Sequence, residues 1–196
     1  MRKDQKQSIS EVLNLIFETK EEKQKIQQKE LNYEMNELNP VMSEKTLKYH
    51  YGNLAKGYFD RFNKNEGSSS FNYGGAMLHN IFFEQFMEPD SKNEPTGLSK
   101  KFINEFYGSF KAFKNEFKEK ALAIQGSGWV YLDIDGDIII IKNHEYKDDM
   151  DIILLIDWWE HAWALDYQHE KDKYLENIWS IIDWNTINKR IKGFKI

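Results

Sequence analysis

The chain has 196 residues, of which 40% are hydrophobic, 15% are aromatic and 30% are charged, with a formal net charge of -5 at pH 7. This length allows one domain of ordinary size or two small lobes, and the charge balance argues against the basic surface that nucleic acids and anionic membranes require. Cysteine is absent, which excludes disulfides, thiolate metal sites and cysteine nucleophiles.

No stretch of the sequence has the pattern of a membrane span or a targeting signal. No apolar run approaches the ~20 residues that cross a bilayer, and the first residues lack the apolar core and small-residue cleavage site of a secretory signal. Asp4, Glu11 and Glu18 argue against a transit peptide. We therefore expect a cytoplasmic protein that binds neither membrane nor nucleic acid.

Residues 1–30 are predicted to form a helical extension that is mostly solvated. Ser8 and Glu11 have the spacing of a capping box, and a short apolar stripe runs from Ile9 to Phe17. One interpretation is an appendage packed on its own domain. The alternative is a docking helix for a protein partner.

Residues 31–88 are predicted to form an antiparallel hairpin of two helices. The first helix is expected to begin with Ser43 as its N-cap and to carry His50 on its apolar face. A polar turn separates it from a second helix, which carries His79 among large apolar residues. These residues form the first of two predicted lobes.

A proline-containing linker leads to the second predicted lobe, residues 98–196. Helical patterns come first, and the period changes to that of strands from Trp129. Two apolar runs flank Asp135-Gly136, which is a strong signal for a β-hairpin. Ile152 to Ile156 forms a third strand, and helices return after it. The predicted fold class is α+β, with a three-stranded antiparallel sheet in this lobe.

Two of the five histidines, His50 and His79, lie within apolar helical faces. A single histidine in such a place is usually a core residue held by a hydrogen bond. Two of them on paired helices favour a shared metal ion, because a metal and a neighbouring acceptor satisfy both ring nitrogens.

Asp157 and His161 complete a candidate set of metal ligands. Asp157 ends an apolar strand, where an unpaired carboxylate is costly, and His161 follows four residues later, within reach of the same point. Three imidazoles and one carboxylate suit Fe, Mn or Zn better than Ca or Mg. From the residues alone we predict a buried mononuclear site, with the metal and the reaction left open.

Several runs of the sequence resemble, in the right order, the motifs of the iron/manganese superoxide dismutases. The similarity extends over residues 31–190. The runs with the clearest likeness are Thr46–Gly52, Phe71–His79, Tyr107–Phe110, Gly126–Trp129, Asp157–Ala162 and Tyr174–Trp184.

The resemblance implies a metalloenzyme that converts superoxide to O2 and H2O2 by redox cycling of one Fe or Mn ion per subunit. Iron, or use of either metal, is the favoured reading. The ion would lie between the two lobes and be held by His50, His79, Asp157 and His161.

The resemblance also implies roles for residues around the metal. Tyr58 and His144 would be catalytic, since Tyr58 would relay protons and His144 would hydrogen-bond the metal-bound solvent. Trp129, Trp159 and Gly75 would shape the pocket. A homodimer is implied, with Glu160 beside His161 at its interface.

The sequence departs from the family pattern at the implied interface and at the hairpin tip. Leu54 and Ala164 stand where the family usually has a histidine and a tyrosine, and the segment between Tyr58 and His79 is shorter than usual. The alternative reading is a non-catalytic subunit of this fold within a larger assembly. Retention of all four ligand positions favours the enzyme.

Overall fold

The structure is a computed structural model that describes residues 24–194. The predicted helical extension lies mostly outside these residues. Its last part, residues 24–30, is described and has no helix, because its backbone groups bond to side chains of other elements. Within the described range, no helix is both long enough and apolar enough to cross a membrane.

The first lobe is the predicted helical hairpin. Ser43 caps its first helix, as predicted, and accepts a hydrogen bond from Thr46 N at 3.1 Å. The elements are α1 (Glu44–Tyr49), a π-helical turn (His50–Ala55), α2 (Lys56–Asn63) and, after a short turn, α3 (Ser69–Glu84).

The second lobe contains the predicted three-stranded antiparallel sheet, so the α+β fold class is confirmed. The strand order is β2-β1-β3, and Trp129 on the central strand lies opposite Ile141 and Asp157. The elements are α4 (Gly97–Tyr107), α5 (Phe110–Leu122), β1 (Gly128–Asp133), β2 (Ile138–Lys142), β3 (Ile152–Asp157), α6 (Glu160–Tyr167), α7 (Lys171–Ile178), a 3-10 turn (Trp179–Ile181) and α8 (Trp184–Phe194).

A buried polar cluster joins the two lobes at the edge of the sheet. The Gln85 side chain is fully buried, and its amide bonds both backbone groups of Leu155 on β3. Arg190 from α8 donates to Gln85 Oε1 at 3.2 Å and to Ile153 O at 3.4 Å. These side chains cover an edge strand that would otherwise expose unpaired backbone groups, and they attach the hairpin to the strand that ends at Asp157.

Candidate metal centre

The structure brings together the four side chains that the sequence predicts as metal ligands. One ligand atom from each of His50, His79, Asp157 and His161 lies within 4.8 Å of all the others. The Nε2 atoms of His50, His161 and His79 are 3.1, 3.3 and 3.8 Å from Asp157 Oδ2. Ligand atoms held about 2.1 Å from one ion are about 3 to 4 Å apart. The spacing therefore fits one shared ion, with two ligands from each lobe.

Two of these ligand atoms, Asp157 Oδ2 and His161 Nε2, lie 3.3 Å apart without forming a hydrogen bond. Both are buried and have no hydrogen-bond partner in the described residues. Buried polar atoms are normally paired, so these two atoms require a partner that protein groups do not supply. A metal cation is such a partner, and the donor set of three imidazoles and one carboxylate fits Fe, Mn or Zn.

The hydrogen bond made by His79 determines which of its ring nitrogens is available to a metal ion. Its Nδ1 lies 2.5 Å from Gly75 O, one turn earlier on α3. A carbonyl can only accept, so Nδ1 carries the proton and Nε2 presents a lone pair towards the other ligands. Helical geometry produces this contact, because residues four apart lie on the same face.

Asp157 is oriented by the backbone that follows it. Trp159 N donates to its Oδ1 at 2.8 Å, and the carboxylate is fully buried. Burial alone would raise the pKa of Asp157, but His161 and His50 hold it below its usual value. The group is therefore ionised at neutral pH, with Oδ2 left for the ion.

The helical histidines are neutral at the same pH. Burial lowers the pKa of His50 to about 4 and that of His79 well below its usual value. Neutral imidazole is the form that binds metals. Protons therefore compete with a metal ion for His50 only at acidic pH.

A π-helical turn at His50–Ala55 determines where Tyr58 lies. Eight residues of regular α-helix carry a side chain about 80° past two full turns. The π-helical turn accommodates one extra residue, which reduces that rotation by about 100°. The Tyr58 side chain therefore projects within about 20° of the direction of His50. Its ring centroid lies 5.3 Å from that of His79 and 4.8 Å from that of His144.

Two adjacent glycines within α3, Gly74 and Gly75, allow close approach by different groups. A Cβ at Gly75 would meet the Tyr58 ring at 2.9 Å, and a Cβ at Gly74 would meet His144 O at 2.1 Å. The absence of a side chain at Gly75 thus leaves space for the Tyr58 ring, and its absence at Gly74 leaves space for the backbone carbonyl of His144.

His144 is a buried residue, 3% exposed, beside the four clustered side chains. Trp159 stacks on its ring at 4.6 Å between centroids, and the Trp129 indole donates to its Nδ1 at 3.1 Å. Nδ1 is therefore an acceptor, so the proton of neutral His144 lies on Nε2, which is buried without a partner in the described residues. Burial lowers the pKa of His144 to about 4.

Two residues near the site were not predicted to belong to it. Tyr174 is fully buried and donates to Asp157 O at 3.1 Å. Lys171 lines a cavity of about 340 Å³ together with Trp159 and His161, and its Nζ lies 5.5 Å from the Trp158 ring. Both lie on α7. Tyr174 opens one of the runs that carry the family resemblance, but that resemblance gave it no role at the metal, and Lys171 shows no motif spacing that links it to the ligands.

Comparison with known proteins gives a consistent family. Residues 95–190 match the C-terminal domain of iron/manganese superoxide dismutases. The chain is 34% identical over 186 residues to an iron superoxide dismutase of Bacteroides fragilis, covering 82% of this chain and 96% of that protein. A Mn/Fe superoxide dismutase of Porphyromonas gingivalis is 33% identical, with coverage of 82% and 96%. An iron superoxide dismutase of Plasmodium falciparum is 31% identical, with coverage of 83% and 94%.

Proposed function

This chain belongs to the iron/manganese superoxide dismutase family, and from that premise we propose that His50, His79, Asp157 and His161 hold its Fe or Mn ion. The observation that carries the proposal is the convergence of their four ligand atoms within 4.8 Å. Two superoxide ions and two protons become one O2 and one H2O2 in the reaction. When bound, the ion supplies the one-electron oxidation and reduction that this disproportionation requires.

The protein residues around the ligands would supply protons and hold the substrate. Tyr58 stays protonated at neutral pH, because burial and the charge of Asp157 raise its pKa. His144 presents a buried N–H with no partner in the described residues, which suits it to bond solvent or superoxide at the site. The cation of Lys171 lines the adjoining cavity and would attract the superoxide anion.

A homodimer would complete the environment of His161. Metal-binding histidines almost always donate their second N–H to an acceptor, yet no hydrogen bond to His161 Nδ1 forms within residues 24–194. Glu160 is exposed and has no ion-pair partner in the same range. We infer that Glu160 of a second copy accepts this hydrogen bond. The exposed side chain of Leu165, 45% accessible, lies on the same helix and would be covered.

The alternative of a non-catalytic structural subunit has no support in the comparisons, because the relatives are named as enzymes. Reconstitution separates it from the proposed function. Metal-free protein loaded with Fe, Mn or Zn should consume superoxide with Fe or Mn and not with Zn, which has no accessible redox change. Decay of superoxide after rapid mixing is the measurement. Decay at the uncatalysed rate with both Fe and Mn would contradict the function.

His144→Gln should reduce the loss of unfolding free energy that the protein suffers when the pH is lowered. The pKa of His144 is 6.5 in the unfolded chain and about 4 in the fold, so between these values the unfolded state binds more protons. Stability therefore falls as pH is lowered from 6.5 towards 4, by on the order of 3 kcal/mol for this group. Glutamine cannot titrate, so urea unfolding of the variant should show a smaller loss over this range.

The exposed His169 provides the control, since His169→Gln should leave the slope unchanged. The relative activity of the two metals is the second readout, because groups that surround metal ligands set the redox potential of the metal. His144→Gln should shift the ratio of activity between Fe-loaded and Mn-loaded protein. An unaltered ratio together with an unaltered acid slope would remove His144 from the site.

A further inference from the structure

The segment of residues 24–31 contacts the π-helical turn that carries His50, the following helix α2, and α3, which carries His79. It has no helix or strand of its own. At α2 its partner is Asn63: Ile26 N donates to Asn63 Oδ1 at 3.0 Å, and Asn63 Nδ2 donates to Ile26 O at 2.8 Å. One side-chain amide thus satisfies both backbone groups of Ile26.

A second amide holds the segment to α3. Lys29 N donates to Asn80 Oδ1 at 2.9 Å, and Asn80 Nδ2 donates to Gln27 O at 3.0 Å. The Lys29 ammonium also pairs with Glu84 at 2.8 Å. Asn80 directly follows His79, so this contact is made at the ligand's own turn of helix.

Between these two amides the segment contacts the π-helical turn. Gln28 Nε2 donates to Tyr51 O at 2.9 Å, and the Tyr51 hydroxyl donates to Lys29 O at 2.9 Å. Tyr51 directly follows His50. The segment is therefore bonded to the residue after each of the two helical histidines.

The same segment also packs against the residues around Tyr58. Ile26 is partly buried against a small apolar cluster formed by Tyr58, Phe59 and Ala76. Phe59 and Ala76 lie on α2 and α3 respectively, so Ile26 packs on a cluster to which both helices contribute.

We propose that residues 26–29 are a clamp that positions His50, His79 and Tyr58 by fixing the separation and register of α2, the π-helical turn and α3. Each amide must meet two backbone groups at once, which defines both distance and direction. A displacement of about 1 Å is enough to impair a site of this kind. The consequence for catalysis rests on the proposed function, whereas the mechanical role does not.

The double variant Asn63→Ala/Asn80→Ala, made in the full chain, tests the clamp in two ways. In metal-free protein, amide hydrogen exchange should become about tenfold faster over residues 50–58 and 75–83, because both helix faces lose their outer support. In Fe-loaded protein, release of iron to a chelator should be about tenfold faster, and the EPR spectrum of Fe(III) should change.

Asn93→Ala is the matched control, because the Asn93 side-chain amide also makes two backbone hydrogen bonds but lies away from the clamp: its Nδ2 joins the linker to Trp179 O and Ile182 O at 2.9 and 2.8 Å. It should lower the melting temperature and leave the local exchange, iron release and EPR spectrum unchanged. Unchanged exchange in the double variant would overturn the clamp. Faster exchange with unchanged iron release and EPR spectrum would overturn its positioning role. A wild-type chain that binds neither iron nor manganese would refute the proposed function, and the exchange experiment would still decide the clamp.

Discussion

Asp157→Asn is expected to abolish metal binding and superoxide consumption while leaving a folded protein. Asparagine keeps the volume of the side chain and an Oδ1 that can still accept from Trp159 N, now 2.8 Å from the carboxylate. The fold is therefore retained. The variant loses the negative charge that three neutral imidazoles cannot supply. Loss of one of four ligands should weaken metal affinity by more than the roughly 10- to 100-fold that loss of a group hydrogen-bonded to a ligand costs.

Metal content by elemental analysis, circular dichroism and superoxide decay would be measured on the same preparation. Asp133→Asn is the control, because Asp133 accepts backbone hydrogen bonds in the β1–β2 turn and lies outside the ligand set. It should keep metal and activity. Full metal occupancy in Asp157→Asn would contradict the ligand assignment.

Glu160→Ala is expected to weaken both self-association and metal retention. If Glu160 of one copy accepts from His161 Nδ1 of the other, its loss leaves a ligand without its acceptor, and such losses typically cost 10- to 100-fold in metal affinity, as an order of magnitude. The dissociation constant of the dimer should also rise, because charge-assisted hydrogen bonds across an interface are strong when desolvated. The variant should therefore be monomeric at protein concentrations at which the wild-type chain is still a dimer.

Sedimentation velocity over a dilution series and the rate of metal release to a chelator would measure these two effects. Glu119→Ala removes an exposed glutamate from α5 and should alter neither. A wild-type chain that is monomeric at every concentration would disprove the interface. Metal release that is unchanged in Glu160→Ala, with the dimer intact, would disprove the contact to His161.

The cluster of His50, His79, Asp157 and His161 could be predicted from sequence because its signals are local. His50 and His79 interrupt apolar helical faces, and Asp157 ends a fully apolar strand, so each residue breaks its own pattern. The strands were predicted for the same reason, since β-branched runs flank a turn of Asp135-Gly136. The structure then adds the distances that turn these separate residues into one site.

Other features depend on contacts between distant parts of the chain, which periodicity does not record. The π-helical turn adds one residue without any Pro or Gly-Gly signal, so the helical period alone misplaces Tyr58 relative to His50. The burial of His144 depends on Trp129 and Trp159 closing over it. Residues 24–30 were expected to be helical, but their backbone bonds to amides of the hairpin replace helical bonds.

Elemental analysis of the protein as purified, with metal counted per chain, tests the central claim most directly. We expect close to one ion of Fe or Mn per chain, since His50, His79, Asp157 and His161 form one cluster of ligand atoms suited to these metals. Preparations grown with Fe, Mn and Zn all present should show this result. Zinc alone at full occupancy, or no metal at any growth condition, would contradict it.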